Sequence, residues 1–283
     1  MTWTTTSDPD AFRDAAADFL TADPAANTVL LTLFDRIGKD GPHVYGAADP
    51  LFGWWRRGPS GPVEGAFVQT PPFPPRLGRM PAEAAGALAG ALHDRGFEVT
   101  GVGGARAEAE EFAAAWTAAA GTPPARVVVE ERLHRLGEPV PPEREPSGRA
   151  RPADRNDRAL LVDWYGAFLA EIAEHRPADV AALVDSRLAD GGLYLWEDGG
   201  RPVSLAGVSP VIAGMSRVGP VYTPPRLRGR GYASGLVAAV SAHAPALGAR
   251  EVLLYTDVAN PTSNSIYRKL GYLPVADHVV LEF

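Results

Sequence analysis

Apolar positions in residues 149–283 first follow a helical spacing and then form short strand-like runs. Trp164, Phe168 and Ile172 recur every four residues, which predicts one face of an amphipathic helix. The segment GLYLWEDGGRPVSLAGVSPVI predicts two strands joined by a tight turn at 198–200. This part of the chain is therefore expected to begin with helix and to continue into an antiparallel hairpin.

Strands and helices continue to alternate towards the end of the chain. A strand ending near Tyr222 leads through a glycine-containing loop into a helix that places Leu236, Val240 and Leu247 on one side. The order of helices and strands is that of one complete α/β domain. Three elements complete the series: a strand at 252–256, a short helix at 263–270 and a terminal strand at 275–283.

Residues 1–136 contain a second and weaker set of similar elements. The segment EGAFVQTPPFPP resembles VGPVYTPPRLRG of the later part, and AEAAGALAGALHDRGFEVTGVGG predicts a helix followed by a strand. We interpret the glycines at 101–104 as a strand-to-helix turn, because the long Ala/Glu-rich helix ARAEAEEFAAAWTAAAG comes next. A strand over ARVVVEERLHRL ends this set. We infer a tandem repeat of one fold, in which the first copy has diverged.

A proline-rich and charged segment, GEPVPPEREPSGR, separates the two sets of elements. It has no hydrophobic periodicity, and its composition is typical of an interdomain linker. We therefore expect a first domain at 1–136, a linker at 137–148 and a second domain at 149–283.

Composition narrows the class of protein. The chain of 283 residues is 46% apolar, as an ordinary globular protein is. It has no cysteine, which excludes disulfides, thiolate metal sites and a cysteine nucleophile. Its net charge of −7 argues against a general nucleic-acid binder, and no apolar run approaches the roughly 18 residues of a membrane span. With no basic or long apolar leader in the first residues, we expect a cytoplasmic protein without nucleic-acid or membrane partners.

The run most informative about chemistry is VGPVYTPPRLRGRGYAS at 218–234, where a strand passes through prolines and glycines into a helix. Gly229 and Gly231 can adopt backbone angles closed to other residues and let a ligand approach the main chain. The first N–H groups of the following helix attract an anion. Arg226, Arg228 and Arg230 add positive charge around the loop. The run predicts a pyrophosphate site, with an ordinary basic turn as the alternative.

Two other kinds of phosphate site do not fit this run. A P-loop nucleotide site needs Gly-Lys-Ser/Thr at the helix start. A dinucleotide site needs a third glycine, with an acid roughly 20 residues further on. Neither pattern is present.

Two separate motifs occur in residues 149–283. In the first, Arg226, Gly229 and Gly231 have the spacing Gln/Arg-x-x-Gly-x-Gly/Ala, and Tyr232, Ala233 and Ser234 open the next helix. The second, NPTSNSIYRKLGY, combines an asparagine, a helix, a tyrosine and then Leu-Gly-Tyr. In this order and spacing the two motifs resemble those of the GNAT N-acetyltransferase superfamily.

The resemblance implies an α/β fold of two tandem GNAT-like domains, each a twisted mixed β-sheet flanked by helices. It also implies acetyl-CoA as the cosubstrate, and we expect no metal. In the first copy, RLGRMPAE has Gly78 but no glycine two residues later. We therefore expect a degenerate first domain that lacks the acyl-CoA loop and helps to shape the acceptor pocket, with a second working CoA site as the alternative.

Roles for individual residues follow from the same resemblance. Backbone N–H groups in 221–223 are expected to bind the thioester carbonyl and the pantetheine arm, and Tyr267 to protonate the leaving thiolate. Asn260 and Asn264 are expected to bind the pantetheine or orient the tyrosine. The complete expected cofactor-binding set is Val221, Tyr222, Thr223, Arg226, Arg228, Gly229, Arg230, Gly231, Tyr232, Ala233, Ser234, Asn260, Asn264 and Tyr267.

The general base is less well defined by the sequence. Many GNAT domains carry a carboxylate on the strand before the glycine loop, but GMSRVGPVY has no acid. Asp257 is our first choice, and Glu171 and His175 are the alternatives. Aromatic residues of the first helix border the acceptor site in similar proteins, although core packing explains them equally well: Trp164, Tyr165 and Phe168.

These expectations lead to an N-acetyltransferase that transfers an acetyl group by direct attack of a primary amine. The amine is a small molecule, an amino-acid derivative or a protein amino terminus. One alternative is a noncatalytic acyl-CoA-binding or sensing module, and another is a mycothiol-synthase-like tandem acetyltransferase. The resemblance leaves both a monomer and a homodimer open.

Overall fold

The computed structural model of the chain describes residues 2–172 and 179–283. The elements up to the linker are β1 (Thr2–Thr6), α1 (Pro9–Ala22), α2 (Thr28–Asp40), β2 (Leu51–Arg56), β3 (Gly65–Gln69), β4 (Arg76–Leu77), α3 (Ala82–Asp94), β5 (Gly101–Ala105), α4 (Arg106–Ala120) and β6 (Arg126–Leu136). Those after it are β7 (Arg149–Pro152), α5 (Arg158–Glu171), α6 (Val180–Ala189), β8 (Leu193–Asp198), β9 (Arg201–Val208), β10 (Met215–Tyr222), α7 (Tyr232–His243), β11 (Glu251–Asp257), α8 (Pro261–Lys269) and β12 (Tyr272–Glu282).

The chain forms two compact units. The first contains the described residues up to Leu133, together with Asp257–Ala259 and Val275–Phe283. The second contains His134–Thr256 and Asn260–Pro274. The linker expected at 137–148 and the residues at its two ends thus belong to the second unit, and most of the terminal strand belongs to the first.

The first unit has a mixed sheet in the order β1-β2-β3-β4-β5-β12-β6. Its β4 and β5 are parallel, whereas its β1, β2 and β3 pair antiparallel in sequence. Trp55, Phe67, Leu88 and Phe112 pack in one core between this sheet and α3 and α4. These helices and strands therefore bury one continuous apolar layer.

The glycines at 101–104 form part of strand β5, where we expected a turn. β5 pairs antiparallel with the terminal strand, for example Leu281 with Val102. A Cβ on Gly101 would lie against the carbonyl oxygen of Leu281, and one on Gly103 would meet the guanidinium of Arg76. Glycine is needed here because partner groups approach the strand backbone closely, a requirement that local sequence does not reveal.

The second unit has a mixed sheet in the order β11-β10-β9-β8-β7. Its β10 and β11 are parallel, and its other pairs are antiparallel. Because side chains alternate along a strand, neighbouring residues face opposite layers. On β9, Leu205 packs with α5 and α6, while Ala206 packs with the cluster that contains Leu236 and Val240 of α7. This sheet is thus covered by helices on both faces.

The buried stripe of α5 lies one position away from the one that we predicted. Leu161, Tyr165 and Leu169 are buried, whereas Ile172 is 43% exposed. A helix with apolar residues on several sides offers more than one stripe at a spacing of four, so spacing alone does not select the buried one. The expected stripe on α7 is also shorter, since the helix ends at His243 and Leu247 is exposed.

The structure confirms the predicted α/β fold class, because in each unit strands in mixed parallel and antiparallel pairing are flanked by helices. No helix in residues 2–172 or 179–283 combines the length and apolar character needed to cross a membrane.

Candidate functional site

Strands β10 and β11 separate part of the way along their length. The two strands pair in parallel from Met215 to Arg217 of β10. Beyond this point β10 pairs only with β9, as far as Val221 and Tyr222. The β9 pairing shifts register between Val218 and Val221, around Pro220, which cannot donate to a ladder. Since successive residues of a strand direct their N–H groups to opposite sides, one of Val221 and Tyr222 directs its N–H into the opening.

The glycine loop follows directly after this opening. Gly229 and Gly231 have φ values of +75° and +83°, in the left-handed region that glycine tolerates best. No side chain of the described residues caps α7, and its first helical bond runs from the Gly235 N–H to the Gly231 carbonyl at 2.9 Å. The N–H groups of residues 232–234 precede that bond, so the main chain presents donors to an anion.

The arginines of the loop are not equivalent. Arg228 donates from Nη2 to both carboxylate oxygens of Glu171 at 2.7 Å, and from Nε to the Thr223 carbonyl at 2.8 Å. Its guanidinium also lies 5.9 Å from the ring centre of Tyr222. Within the described residues, Arg226 and Arg230 form no ion pair and are exposed. These two are therefore the cations most accessible to a ligand phosphate, while Arg228 ties the loop to α5.

Tyr232 contributes to the loop through its main chain. Its side chain is 5% exposed, and its hydroxyl donates to Asp198 at 2.6 Å. Ser147 donates to the same carboxylate at 3.0 Å. Together with the charge of Arg230, these two hydrogen bonds lower the pKa of Asp198 below its ordinary value. The tyrosine thus anchors the start of α7, and Ala233 and Ser234 follow it as partly exposed residues.

The segment 137–148, here called the strap, is packed along α7 in the second unit. The Gly137 and Val140 N–H groups donate to the carbonyls of Gly271 and Leu270 at 2.9 and 3.1 Å. Pro146 is buried against Gly235. Where the strap passes the C-terminal half of α7, it covers an apolar cavity of about 270 Å³. The strap is therefore an ordered part of this unit and reaches the glycine loop.

A matched pair of substitutions tests the packing of the strap. A Cβ on Gly235 would lie 2.7 Å from Cγ of Pro146 and 3.0 Å from the ring of Trp196, whereas one on Gly166 in α5 would have nothing within 4 Å. We expect Gly235→Ala to destabilise the protein by about 1–2 kcal/mol through overpacking. Gly166→Ala should stabilise it by about 0.5–1 kcal/mol, the usual gain in a helix. Urea unfolding measures both, and equal stability of the two variants would contradict tight packing.

Tyr267 lies on α8 and packs against the core of the second unit. Its ring centre is 6.0 Å from that of Tyr272. Burial, with a smaller effect of Tyr272, raises its pKa above the ordinary value, so the phenol stays protonated at neutral pH. No residue in 2–172 or 179–283 forms a hydrogen bond with its hydroxyl. Within the described residues the hydroxyl proton is thus not engaged in a hydrogen bond.

Asn260 and Asn264 are held in a network that fixes α8. Asn260 caps the helix, because its side chain accepts from the Ser263 N–H at 3.1 Å. Asn264 accepts from the Thr256 hydroxyl at 2.6 Å and donates to the Asn260 carbonyl at 2.8 Å. The Thr256 hydroxyl also contacts His134 at 3.2 Å in the interior. Both asparagines thus orient the helix that carries Tyr267.

The base candidates have different surroundings. Asp257 is exposed, and its carboxylate accepts from the Ala259 N–H at 2.7 Å. Glu171 is bound to Arg228, as described above. His175 lies outside the described residues. No group of three potential ligands is placed to hold a metal ion in the described parts of the chain.

The three aromatic candidates of α5 fall into two environments. Tyr165 is 5% exposed and belongs to the core. Trp164 and Phe168 are half-buried, and the Trp164 ring lies 6.2 Å from that of Tyr222. The structure therefore places Trp164 beside the end of β10, whereas Tyr165 packs inward.

Sequence reasoning missed two residues that shape this site. Ser204 of β9 donates to the Tyr222 carbonyl at 3.1 Å and bonds to the Thr223 hydroxyl at 2.8 Å. Arg187 of α6 donates to the Gly219 carbonyl at 2.9 Å. Both act on the end of β10 from distant parts of the sequence, and neither belongs to a motif that could have identified it.

The corresponding loop of the first unit is arranged differently. Gly78 donates to the Ala66 carbonyl at 2.9 Å, and the Arg79 N–H donates to the Asn27 side chain at 3.2 Å. A Cβ on Gly78 would lie 2.7 Å from that side chain, and Pro81 at the start of α3 has no N–H. The main-chain N–H groups of Gly78 and Arg79 thus already donate to acceptors of the first unit.

Residues 158–272 match the family model described as the acetyltransferase (GNAT) family. The whole chain is similar in structure to an acetyltransferase from the GNAT family of Colwellia psychrerythraea, with a TM-score of 0.64, 13% identity and 100% of both chains covered. A Drosophila protein gives a TM-score of 0.69 at 11% identity, over 99% of this chain and 98% of that one. A GCN5-related N-acetyltransferase from Sphaerobacter thermophilus gives 0.62 at 18% identity, over 99% and 95%. No curated protein matches the sequence. At these identities the solved structures show the fold alone.

Proposed function

Because residues 158–272 belong to the acetyltransferase (GNAT) family, we propose that this chain transfers an acetyl group from acetyl-CoA to a primary amine. The observation that carries the proposal is the opening between β10 and β11, followed directly by the left-handed glycines and by the N-terminus of α7, which no side chain in the described part of the chain caps. The opening suits a thioester arm, and the loop suits the pyrophosphate attached to it.

The residues of the second unit fit both parts of acetyl-CoA. Main-chain N–H groups from Gly229 to Ser234 would bind the pyrophosphate, with Arg226 and Arg230 adding charge. Among residues 221–223, the main-chain N–H that is directed into the opening would bind the thioester carbonyl. It would stabilise the negative charge that develops on the carbonyl oxygen. Ser204 supports this by holding the end of β10.

The proposed reaction forms one bond and breaks another. The amine nitrogen attacks the thioester carbonyl carbon, the C–N bond forms and the C–S bond breaks. The thiolate takes a proton from Tyr267, whose raised pKa keeps that proton in place until then. The proton leaving the nitrogen passes to a base, for which we propose Asp257.

We further propose one working site per chain, in the domain that follows the strap. The loop of the first unit supports this, since Asn27 and Ala66 already accept hydrogen bonds from its N–H groups. The first domain is then a degenerate copy. A noncatalytic acyl-CoA sensor is the second candidate, because β10 carries no acid beside the opening.

Calorimetric titration with acetyl-CoA, followed by release of CoA thiol in the presence of a panel of amines, tests the proposal. We expect one site per chain and turnover of at least one amine. Tight binding with only slow hydrolysis would favour the sensor. Absence of binding would overturn the acetyltransferase assignment, and two sites would contradict a degenerate first domain.

A further inference from the structure

Arg187 of α6 is a half-buried cation beside β10, one of the two strands that border the opening. Its Nη1 donates to the Gly219 carbonyl at 2.9 Å, and its guanidinium lies 5.8 Å from the ring centre of Tyr165. Gly207 of β9 provides the space, because a Cβ there would lie 2.8 Å from the same Nη1. The side chain is thus held in a defined position on the face of the sheet that α5 and α6 cover.

No carboxylate in residues 2–172 or 179–283 forms an ion pair with Arg187. The acids of its own helix are engaged elsewhere. Asp185 binds Arg158 through two hydrogen bonds of 2.6 and 2.7 Å, and Asp179 caps α6 by accepting from the Ala182 N–H. Within these residues one of the five guanidinium donors of Arg187 is used. A partly buried charge that lacks an opposite charge is costly.

The position of Arg187 relates it to the proposed reaction. Gly219 lies two residues before Val221, within the register shift of β10, so at most about 7 Å separate the two residues. The carboxylate of an α-amino acid is separated from its nitrogen by a single carbon. An amine that attacks a thioester held at 221–223 would therefore bring such a carboxylate towards the guanidinium.

We propose that Arg187 binds the carboxylate of the acceptor, and that the acceptor is an α-amino acid. This inference rests on the proposed function and specifies its substrate class. The fork of guanidinium donors matches a carboxylate in two-point geometry, and the bond to Gly219 fixes the fork beside β10. Amines without a neighbouring carboxylate, including protein amino termini, are then poor acceptors.

The test compares acceptors that differ only in the carboxylate. We would measure kcat/KM for several amino acids, for their amides and for the corresponding decarboxylated amines. The wild-type protein should prefer the acids at least about tenfold, the discrimination expected of a charge-assisted contact worth about 1.4 kcal/mol. Arg187→Gln should remove this preference mainly by raising KM for the acids, so that kcat/KM falls more for the acids than for the amides. Arg187→Lys should retain part of the preference.

Arg158→Gln is the matched control, because it removes the same charge from the adjacent helix. It should leave the preference for acids intact. Acetyl-CoA affinity and thermal unfolding of each variant show whether the site and fold persist.

Three outcomes overturn the inference. In the first, the wild-type protein uses amides as well as acids. In the second, Arg187→Gln slows acids and amides equally. In the third, no acceptor reacts and the expected products, N-acetylamino acids, do not bind to the protein either. The second outcome would leave Arg187 only a structural role on Gly219. Failure of the proposed function is distinguishable, since acetyl-CoA itself would then not bind.

Discussion

Gly231→Asp is expected to weaken acetyl-CoA binding by about 100-fold, or about 2.7 kcal/mol, with the fold intact. Gly231 stands at the N-cap of α7, beside the first N–H groups of the helix. A carboxylate at that point would accept from those groups and repel a pyrophosphate. The nearest atom to a Cβ there is Cβ of Pro146 at 3.6 Å, so the side chain has room and the effect is mainly one of charge.

Two controls separate charge from backbone strain in this experiment. Gly231→Asn has nearly the same shape without the charge, and we expect it to lose only about tenfold in affinity. Gly248→Asp places the same residue at φ +96° in open space, and acetyl-CoA binding should not change. Wild-type affinity of Gly231→Asp in calorimetry would show that the ligand does not use this loop.

The features of this site that could be predicted from sequence are those with local causes. Gly229 and Gly231 are needed because the main chain itself turns left-handed there, and the prolines before them end a strand. The order of strand, loop and helix follows from spacing alone. These requirements involve residues that are neighbours in the sequence, so the sequence alone reveals them.

Features that depend on distant partners could not be predicted in this way. Composition indicated a linker at 137–148, but Pro146 is buried because Gly235 leaves space for it 89 residues later. The glycines of β5 resemble a turn until the terminal strand is placed beside them. Arg187 belongs to no motif, and its bond to Gly219 depends on how α6 packs on the sheet. Such pairings are properties of tertiary structure rather than of local propensity.

Tyr267→Phe is expected to lower kcat about 100-fold and to leave acetyl-CoA affinity within about twofold, the usual consequence of losing a general acid. The substitution removes one hydroxyl that has no hydrogen-bond partner in the described residues, and it keeps the ring against Tyr272. Stability should therefore change by less than about 0.5 kcal/mol, as for a substitution that breaks no contact. Stopped-flow measurement of thiol release, with binding measured separately, distinguishes the two effects.

Tyr272→Phe is the matched control, since it removes the same hydroxyl from the neighbouring ring. Its hydroxyl is 2.6 Å from that of Ser241 in the interior, and burial raises its pKa to about 12. We expect Tyr272→Phe to lose about 1–2 kcal/mol of stability because the buried Ser241 loses its partner, with kcat nearly unchanged. Opposite responses of the two tyrosines would separate a chemical role from a packing role.

The pH dependence of turnover supplies an independent check on Tyr267. Because the pKa of Tyr267 is raised, the phenol keeps its proton even at a pH above the ordinary tyrosine pKa of about 10. Its ionisation should therefore not reduce kcat between about pH 8 and 10. In Tyr267→Phe the departing thiolate must take its proton from water, but above the thiol pKa of about 8.5 it is stable without one. The deficit in kcat of the variant relative to the wild-type protein should therefore narrow as the pH rises from about 7 to 10. Full activity of the variant across this range would exclude Tyr267 as the acid and would leave the solvent as the proton source.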